Sequence, residues 1–244
     1  MLQCLVNNDS EIFCSSFDER LCRIKELTWL PWIGENFVQG KVLVLGESHY
    51  GYLNNTRDEI EKNPDETMVV VGEYVKDGEN AGNQYKTYEP MEAVLRTSIF
   101  GDIPRDVLWS KIAFMNLIQS CMDDNTKRPE WRFFRDGWKV VLQVINVLRP
   151  KVCICFSTDK MLNRVNFNRL DEFKEELKNE LGNYSITPNE DTEERISRCI
   201  VAKPGQITIG EYGCPVIFVR RASRIKGKAI AAWAEIIKRY AFLF

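Results

Sequence analysis

Side chains able to take part in chemistry are concentrated just after one apolar segment in the first quarter of the chain. An apolar strand ends in Gly46, and Glu47, Ser48, His49 and Tyr50 follow it directly. Glycine lets a backbone approach a ligand closely, and four consecutive side chains that can hydrogen-bond are ill suited to a core. The sequence therefore predicts that this strand end binds a small polar or nucleotide-like ligand.

Two hydrolytic chemistries fit this segment poorly. Ser48 is not the centre of a Gly-x-Ser-x-Gly nucleophile motif, because Tyr50 occupies the last position. A catalytic zinc site usually draws on several histidines, whereas His49 is the only histidine in the chain. None of the eight cysteines forms a Cys-x-x-Cys pair. We therefore expect neither a bound metal nor another cofactor.

The composition is that of an ordinary globular protein. Of the 244 residues, 44% are hydrophobic and 28% are charged, and the formal net charge is -2. A nucleic-acid partner would have to meet a local basic cluster, since the bulk charge gives no such signal. No stretch approaches the roughly 20 apolar residues of a membrane span, and the first residues lack the pattern of a signal peptide. We therefore expect a reduced, cytoplasmic protein with no membrane partner.

Continuous apolar segments are typical of short parallel strands covered on both faces. Four such segments occur: Lys41–Leu45, Ile112–Met115, Val152–Phe156 and Pro215–Val219. Apolar residues at three- or four-residue spacing predict helices at about 134–148 and 226–242, and a charged helix is predicted at about 167–181. This alternation predicts a single α/β domain over residues 1–244, with three layers, α/β/α, around a short central parallel four-stranded sheet.

Two stretches fit this scheme less well. Residues 52–86 are polar, and a loop of that length in a compact domain is usually a functional lid or disordered. Residues 198–212 suggest an extra hairpin, with apolar arms at 198–202 and 206–210 around a Lys203-Pro-Gly205 turn.

The carboxyl ends of parallel strands meet at one edge of the sheet, where ligands bind. Residues 47–51, 116–119, 157–160 and 220–224 should gather there. The last segment opens a basic cluster made of Arg220, Arg221, Arg224, Lys226 and Lys228. Ser223 can cap the helix that follows, and a helix start attracts phosphate.

The order of these landmarks resembles the uracil-DNA glycosylase superfamily, over about residues 38–241. Its first motif, Gly-x-Asp-Pro-Tyr or Gly-Glu-Ala-Pro-Gly, follows the first strand, and Gly46-Glu-Ser-His-Tyr50 is similar to both forms. Ala113-Phe-Met-Asn116-Leu looks like the strand that ends in the asparagine reading the base edge. Leu148-Arg-Pro-Lys-Val-Cys-Ile-Cys-Phe156 is similar to the third strand, and Val216-Ile-Phe-Val-Arg-Arg-Ala-Ser223 takes the place of the strand leading to His-Pro-Ser.

The resemblance implies a pocket for a nucleobase, with DNA or a nucleotide as the partner. Glu47 would orient water or offset positive charge on the sugar, and Arg221 would stabilise the departing base. Asn116 would read the base edge, since its amide both donates and accepts, and Tyr50 would stack on the base. The remaining expected contacts are Ser48 and His49 to the base, and Gly46, Arg220, Ser223, Arg224 and Lys226 to phosphate or DNA.

The sequence departs from the family where catalysis takes place. Ser48 stands at the position of the water-orienting aspartate, and Arg221 stands at the histidine of His-Pro-Ser. Two functions on this fold follow, an N-glycosylase with altered motifs and a non-catalytic module that binds nucleic acid or a nucleotide. A third is a small-molecule esterase using Glu47 and His49, because Gly-Glu-Ser-His is similar to the Gly-Glu-x-His motif of erythromycin-esterase-type enzymes. Those enzymes need further histidines, which this chain lacks.

Overall fold

The computed structural model describes residues 14–50, 56–78, 87–122, 129–156, 164–188, 194–196, 199–219 and 228–241. In this part of the chain the strands are β1 (Trp32–Ile33), β2 (Val42–Gly46), β3 (Ile112–Asn116), β4 (Val152–Cys155), β5 (Tyr184–Pro188), β6 (Glu194–Ile196), β7 (Cys199–Ile209) and β8 (Tyr212–Val219). The α-helices are α1 (Asp18–Leu21), α2 (Phe37–Gly40), α3 (Arg57–Lys62), α4 (Glu66–Asp77), α5 (Tyr88–Leu95), α6 (Arg105–Ser110), α7 (Trp131–Leu148), α8 (Arg164–Leu181) and α9 (Lys228–Ala241). A π-helix, Arg96–Phe100, continues α5.

The described strands form one mixed sheet in the order β1-β3-β2-β4-β8-β7-β5, with β6 paired to β7. The four predicted strands are present as β2, β3, β4 and β8, and adjacent members pair in parallel. The prediction of a four-stranded parallel sheet is wrong for the sheet as a whole, because antiparallel strands extend it at both sides. β1 has only two residues, which is too short for a hydrophobic pattern to show in the sequence. β5, β6 and β7 lie between β4 and β8 along the chain.

The parallel strands are buried on both faces because their side chains alternate between two cores. Val42 and Val44 pack with residues of α4, α5, α6 and α9, whereas Leu43 and Leu45 pack with residues of α7 and α8. These two sets of helices are the outer layers of the α/β/α arrangement. Cys153 and Cys155 lie on the second face, completely buried, as predicted.

The predicted helical stripes account for much of this packing. All five apolar residues that predict α7 are buried: Phe134, Trp138, Val141, Ile145 and Leu148. On α9, Trp233 and Ile237 are buried, with Ile230 and Tyr240 partly buried beside them. These helices therefore cover the sheet with the faces that the sequence indicates.

The connections place a switch point between β2 and β4. From β2 the chain crosses to β3 through α3–α6 on one face, and from β3 it crosses back past β2 to β4 through α7 on the other face. This arrangement agrees with the right-handed crossover rule, since reversing the direction of travel along the sheet reverses the covered face. In open α/β sheets, such a reversal opens a crevice at the carboxyl ends of the two strands. That crevice begins at Gly46 and Glu47.

Three expectations need correction. Within 52–86, residues 57–62 and 66–77 are helical, and a capping box between Thr56 and Glu59 begins the first helix. The predicted turn at Lys203-Pro-Gly205 is wrong, because β7 runs straight through it and turns into β8 only after Ile209. Cys22 is disulfide-bonded, so the expectation of a fully reduced chain is also wrong.

Pro204 is tolerated inside β7 because of what borders the strand. On one side β8 pairs along Ala202–Ile209. On the other side, the pairing with β6 ends at Ala202 and that with β5 starts at Gly205. Pro204 therefore lies between two partner strands, where a residue that lacks an N–H group costs the sheet little.

Candidate functional site

The segments that leave β2 and β3 remain side by side beyond the strands. The Leu117 amide donates to the Gly46 carbonyl at 3.1 Å, and the Ile118 amide donates to the Glu47 carbonyl at 2.8 Å. Further on, Tyr50 and Met122 form an isolated parallel bridge. The polar segment after Gly46 is therefore held by backbone hydrogen bonds rather than extending as a free loop.

Asn116 lies across Gly46, its partner in the register of β2 and β3. A Cβ atom at residue 46 would lie 2.3 Å from the Asn116 Oδ1 atom and 2.8 Å from the ring of Phe114. Only glycine fits at this position without moving the amide. Asn116 is 6% exposed, so its amide is both close to the backbone of β2 and largely shielded from water.

Glu47 and Tyr50 form a hydrogen-bonded pair. The Tyr50 hydroxyl donates to the Glu47 Oε1 atom at 2.6 Å, and the two residues are 8% and 9% exposed. Hydrogen bonds to an ionised acceptor are short and about twice as strong as those between neutral groups. The pair fixes the direction of a buried carboxylate at the start of the crevice.

His49 turns to a different neighbour. Its Nε2 atom lies 2.9 Å from the Thr67 hydroxyl of α4, and its ring meets Trp29 edge-on at a centroid distance of 4.6 Å. Burial lowers the pKa of His49 to about 4, so the imidazole is neutral near pH 7. Because Glu47 bonds to Tyr50 and His49 bonds to Thr67, the two do not form the pair that the esterase hypothesis needs.

Ser48 lies between these two pairs and is half-buried. Its Oγ atom is shielded from solvent and has no hydrogen-bond partner among the described residues. A serine nucleophile needs a base within hydrogen-bond reach of its hydroxyl. The described side chains supply none for Ser48.

Neither a model of a known protein family nor a curated protein sequence matches this chain. Any assignment of function therefore depends on the side chains at the carboxyl edge of the sheet.

Two residues that the sequence did not single out position this edge. Gln119 accepts from the Thr28 amide through Oε1 at 3.1 Å, and its Nε2 atom donates to the Asn116 carbonyl at 2.7 Å. In α7, a Cβ atom at Gly137 would lie 2.0 Å from the Leu117 carbonyl oxygen. A glycine in the middle of a strongly amphipathic helix indicates close packing against another segment. This signal could have revealed the approach of α7 to the Leu117 carbonyl.

Four of the predicted phosphate contacts lie outside the described residues: Arg220, Ser223, Arg224 and Lys226. Arg221, which was predicted to stabilise the departing base, also lies outside them. β8, which precedes them, ends at Val219 beside β4. Within the described ranges, no group of three or more histidine, cysteine, aspartate or glutamate side chains could hold a metal ion. The same part of the chain contains no helix long and apolar enough to cross a membrane.

Proposed function

We propose that the carboxyl edge of β2 and β3 binds a nucleobase, within DNA or a nucleotide, as in a uracil-DNA glycosylase-like protein. The observation that carries the proposal is the position of the Asn116 amide. It lies across Gly46, the last residue of β2, and the Glu47–Tyr50 pair follows directly. Glu47 begins the crevice at the switch point between β2 and β4, where α/β proteins bind ligands, and Asn116 lies beside it at the end of β3.

The chemistry of Asn116 suits a base edge. A carboxamide offers one acceptor and two donors, which is the mixture that the edge of a pyrimidine or purine requires. A buried amide also discriminates strongly, because a ligand that fails to pair with it leaves a desolvated polar group. Asn116 is therefore the residue expected to select the base.

Glu47 gives the site a means of cleaving an N-glycosidic bond. Cleavage builds positive charge on the sugar and negative charge on the departing base. A carboxylate can offset the first charge or orient the attacking water, and Arg221 would stabilise the second. Arg221 would act in place of the family's histidine, and a donor that is lost from its best position typically costs about 3 kcal/mol of transition-state stabilisation, so we expect slow turnover.

A second candidate is a protein that binds a base without cleaving it. One Glu47 oxygen already accepts from Tyr50, which leaves the carboxylate less available to orient water. On this alternative Glu47 is a structural acceptor. Ligand affinity would then be insensitive to Glu47→Gln, since an amide oxygen can still accept from the Tyr50 hydroxyl.

The test combines strand cleavage with binding. The full chain is incubated with oligonucleotides containing uracil, hypoxanthine or xanthine, and binding is measured at two salt concentrations. We expect Asn116→Ala to abolish both, whereas Gln39→Ala serves as a control, because Gln39 is exposed on α2 before the other end of β2. Cleavage that Glu47→Gln removes supports the glycosylase, whereas binding without cleavage that Glu47→Gln leaves unchanged supports the alternative. Absence of cleavage together with absence of salt-dependent binding would contradict both.

A further inference from the structure

His49 is in contact with segments that come from three other parts of the chain. Its imidazole contacts Thr67 of α4 and Trp29 of the segment before β1. Its backbone carbonyl accepts from the Met122 amide at 2.8 Å. The residue therefore touches two segments through its ring and a third through its backbone, while belonging to the segment that carries Glu47 and Tyr50.

The neighbours of His49 are tied to one another. The Trp29 indole donates through Nε1 to the Ile60 carbonyl at the end of α3, at 2.9 Å. Trp29, Ile60 and Cys121 form a small buried cluster apart from the two main cores. The Cys121 amide in turn donates to the Glu61 carboxylate at 3.1 Å. These contacts join α3, α4 and the segment after β3 around one imidazole.

We infer that His49 is a positioning residue, whose bond to Thr67 and contact with Trp29 anchor the strand end and thereby fix the Glu47–Tyr50 pair. The inference rests on the proposed function, because that function gives the anchored strand end its use in binding a base. It replaces the expectation that His49 touches the base. A hydrophobic residue could fill the space but could not satisfy the Thr67 hydroxyl, and Thr67 is 2% exposed. Burial also keeps the imidazole neutral, which suits a hydroxyl partner and an aromatic neighbour.

The anchor can be tested without any ligand. Thr67→Val removes the hydroxyl and keeps the shape of the side chain, and Thr67→Ser restores the hydroxyl. We measure hydrogen exchange at the amides of Ile118 and Met122, which donate to the carbonyls of Glu47 and His49, with Ile154 of β4 as the reference. Thr67→Val should speed exchange at Ile118 and Met122 at least tenfold and leave Ile154 unchanged, and Thr67→Ser should restore slow exchange. Equal acceleration at all three amides, or none at the first two, would overturn the inference.

Nitrogen NMR gives a second readout, because the chain has a single histidine and its ring signals need no assignment. An anchored imidazole should keep one tautomer and one set of shifts from pH 5.5 to 8. Titration near pH 6.5 would show a solvent-exposed ring and contradict the inference. Binding of a uracil-containing oligonucleotide is then compared between Thr67→Val and Thr67→Ser, with an expected tenfold loss for the first. If the exchange and NMR results hold while no oligonucleotide binds the unmodified chain, the proposed function fails and the anchor stands.

Discussion

The Oδ1 atom of Asn116 occupies the space in which a side chain at Gly46 would begin, 2.3 Å from the ideal Cβ position. Gly46→Ala must therefore displace the amide or the Phe114 ring behind it. We expect a loss of roughly 1–3 kcal/mol in the free energy of unfolding, as for other overpacked sites. The free energy of ligand binding should decrease by more than the free energy of unfolding, because the amide that selects the base has moved. Urea denaturation and the oligonucleotide binding assay measure the two effects.

Gly72→Ala is the matched control for this substitution. Gly72 lies within α4, where a new Cβ would meet only the Trp32 ring at 3.8 Å, an ordinary contact distance. Alanine is favoured over glycine in a helix by about 1 kcal/mol, so this variant should gain stability and keep its ligand affinity. Equal effects of the two substitutions would show that the close approach at Gly46 has no consequence.

Tyr50→Phe removes the hydroxyl that donates to Glu47 and leaves the ring in place. Hydrogen bonds to charged groups contribute about 1.5–3 kcal/mol, so we expect a loss of that order in unfolding free energy. Glu47→Gln should cost less, because the Tyr50 hydroxyl can still donate to an amide oxygen. Tyr240→Phe on α9 provides the control for loss of a tyrosine hydroxyl outside the site. Equal losses for Tyr50→Phe and Tyr240→Phe would contradict a stabilising pair.

The lowered pKa of His49 predicts a pH dependence of stability. The folded value is about 4 and the unfolded value is near 6.5, so between these values the unfolded chain binds more protons. The contribution of neutral His49 is therefore complete above pH 6.5 and is lost as the pH falls through 4. Wild type should lose about 3 kcal/mol more than His49→Gln between pH 7 and pH 4.

The comparison with His49→Gln is needed because a second group titrates in the same window. Burial and the nearby charge of Asp65 raise the pKa of Asp18 to about 6. A raised carboxyl pKa has the opposite sign, since its folded form binds more protons and loses stability as the pH rises. Subtracting the two proteins cancels the Asp18 effect. A difference that does not change with pH would show that His49 is not buried in its neutral form.

On the face of the sheet covered by α5 and α6, Glu92 is a buried carboxylate with partners on α6 and on the π-helix. It accepts from the Trp109 indole at 2.7 Å and from Arg105 Nε at 2.9 Å, and Arg96 lies 3.7 Å away. Glu92→Gln removes the negative charge and leaves Arg96 and Arg105 without their buried partner. We expect this variant to lose roughly 3–5 kcal/mol of unfolding free energy. Glu89→Gln, exposed on the same helix, should cost little.

Glu92 bonds to α6 and the π-helix rather than to the segments that follow β2 and β3, so its replacement should not change ligand affinity in the folded fraction. Thermal unfolding and binding at a temperature below the transition separate the two effects. A large loss of affinity with an unchanged melting temperature would contradict binding at the carboxyl edge of β2 and β3.

The central strands could be predicted because they are buried on both faces. A segment such as Val152–Cys155 must be apolar at every position, and no turn residue interrupts it. The opposite holds for β7, where a Pro-Gly pair that is typical of turns lies inside a strand. Its extended conformation comes from pairing with β8, which is a tertiary effect that local sequence does not contain.

The candidate site could be predicted as a location but not as a set of contacts. Polar residues directly after an apolar strand indicated the edge around Gly46. Adjacency in sequence did not show that Tyr50 turns to Glu47, while His49 turns to Thr67, eighteen residues away. The direction of His49 depends on Thr67 of α4 and on Trp29, and the packing of these two segments is decided by long-range contacts. Residues 116–119 were expected at this edge, but the hydrogen bond between Gln119 and Thr28 could not be predicted, because the two residues are 91 positions apart in the chain.

The position of β2 has a consequence for the synthesis of the protein. It is the first of the parallel strands to leave the ribosome, and both of its neighbours, β3 and β4, come later in the chain. The second neighbour starts at Val152, about a hundred residues after Gly46. Synthesis proceeds at roughly 5–20 residues per second, so β2, with its apolar side chains, remains without a partner on that side for between about 5 and 20 s. A nascent chain arrested before residue 150 should therefore be a preferred client of chaperones that bind extended apolar segments.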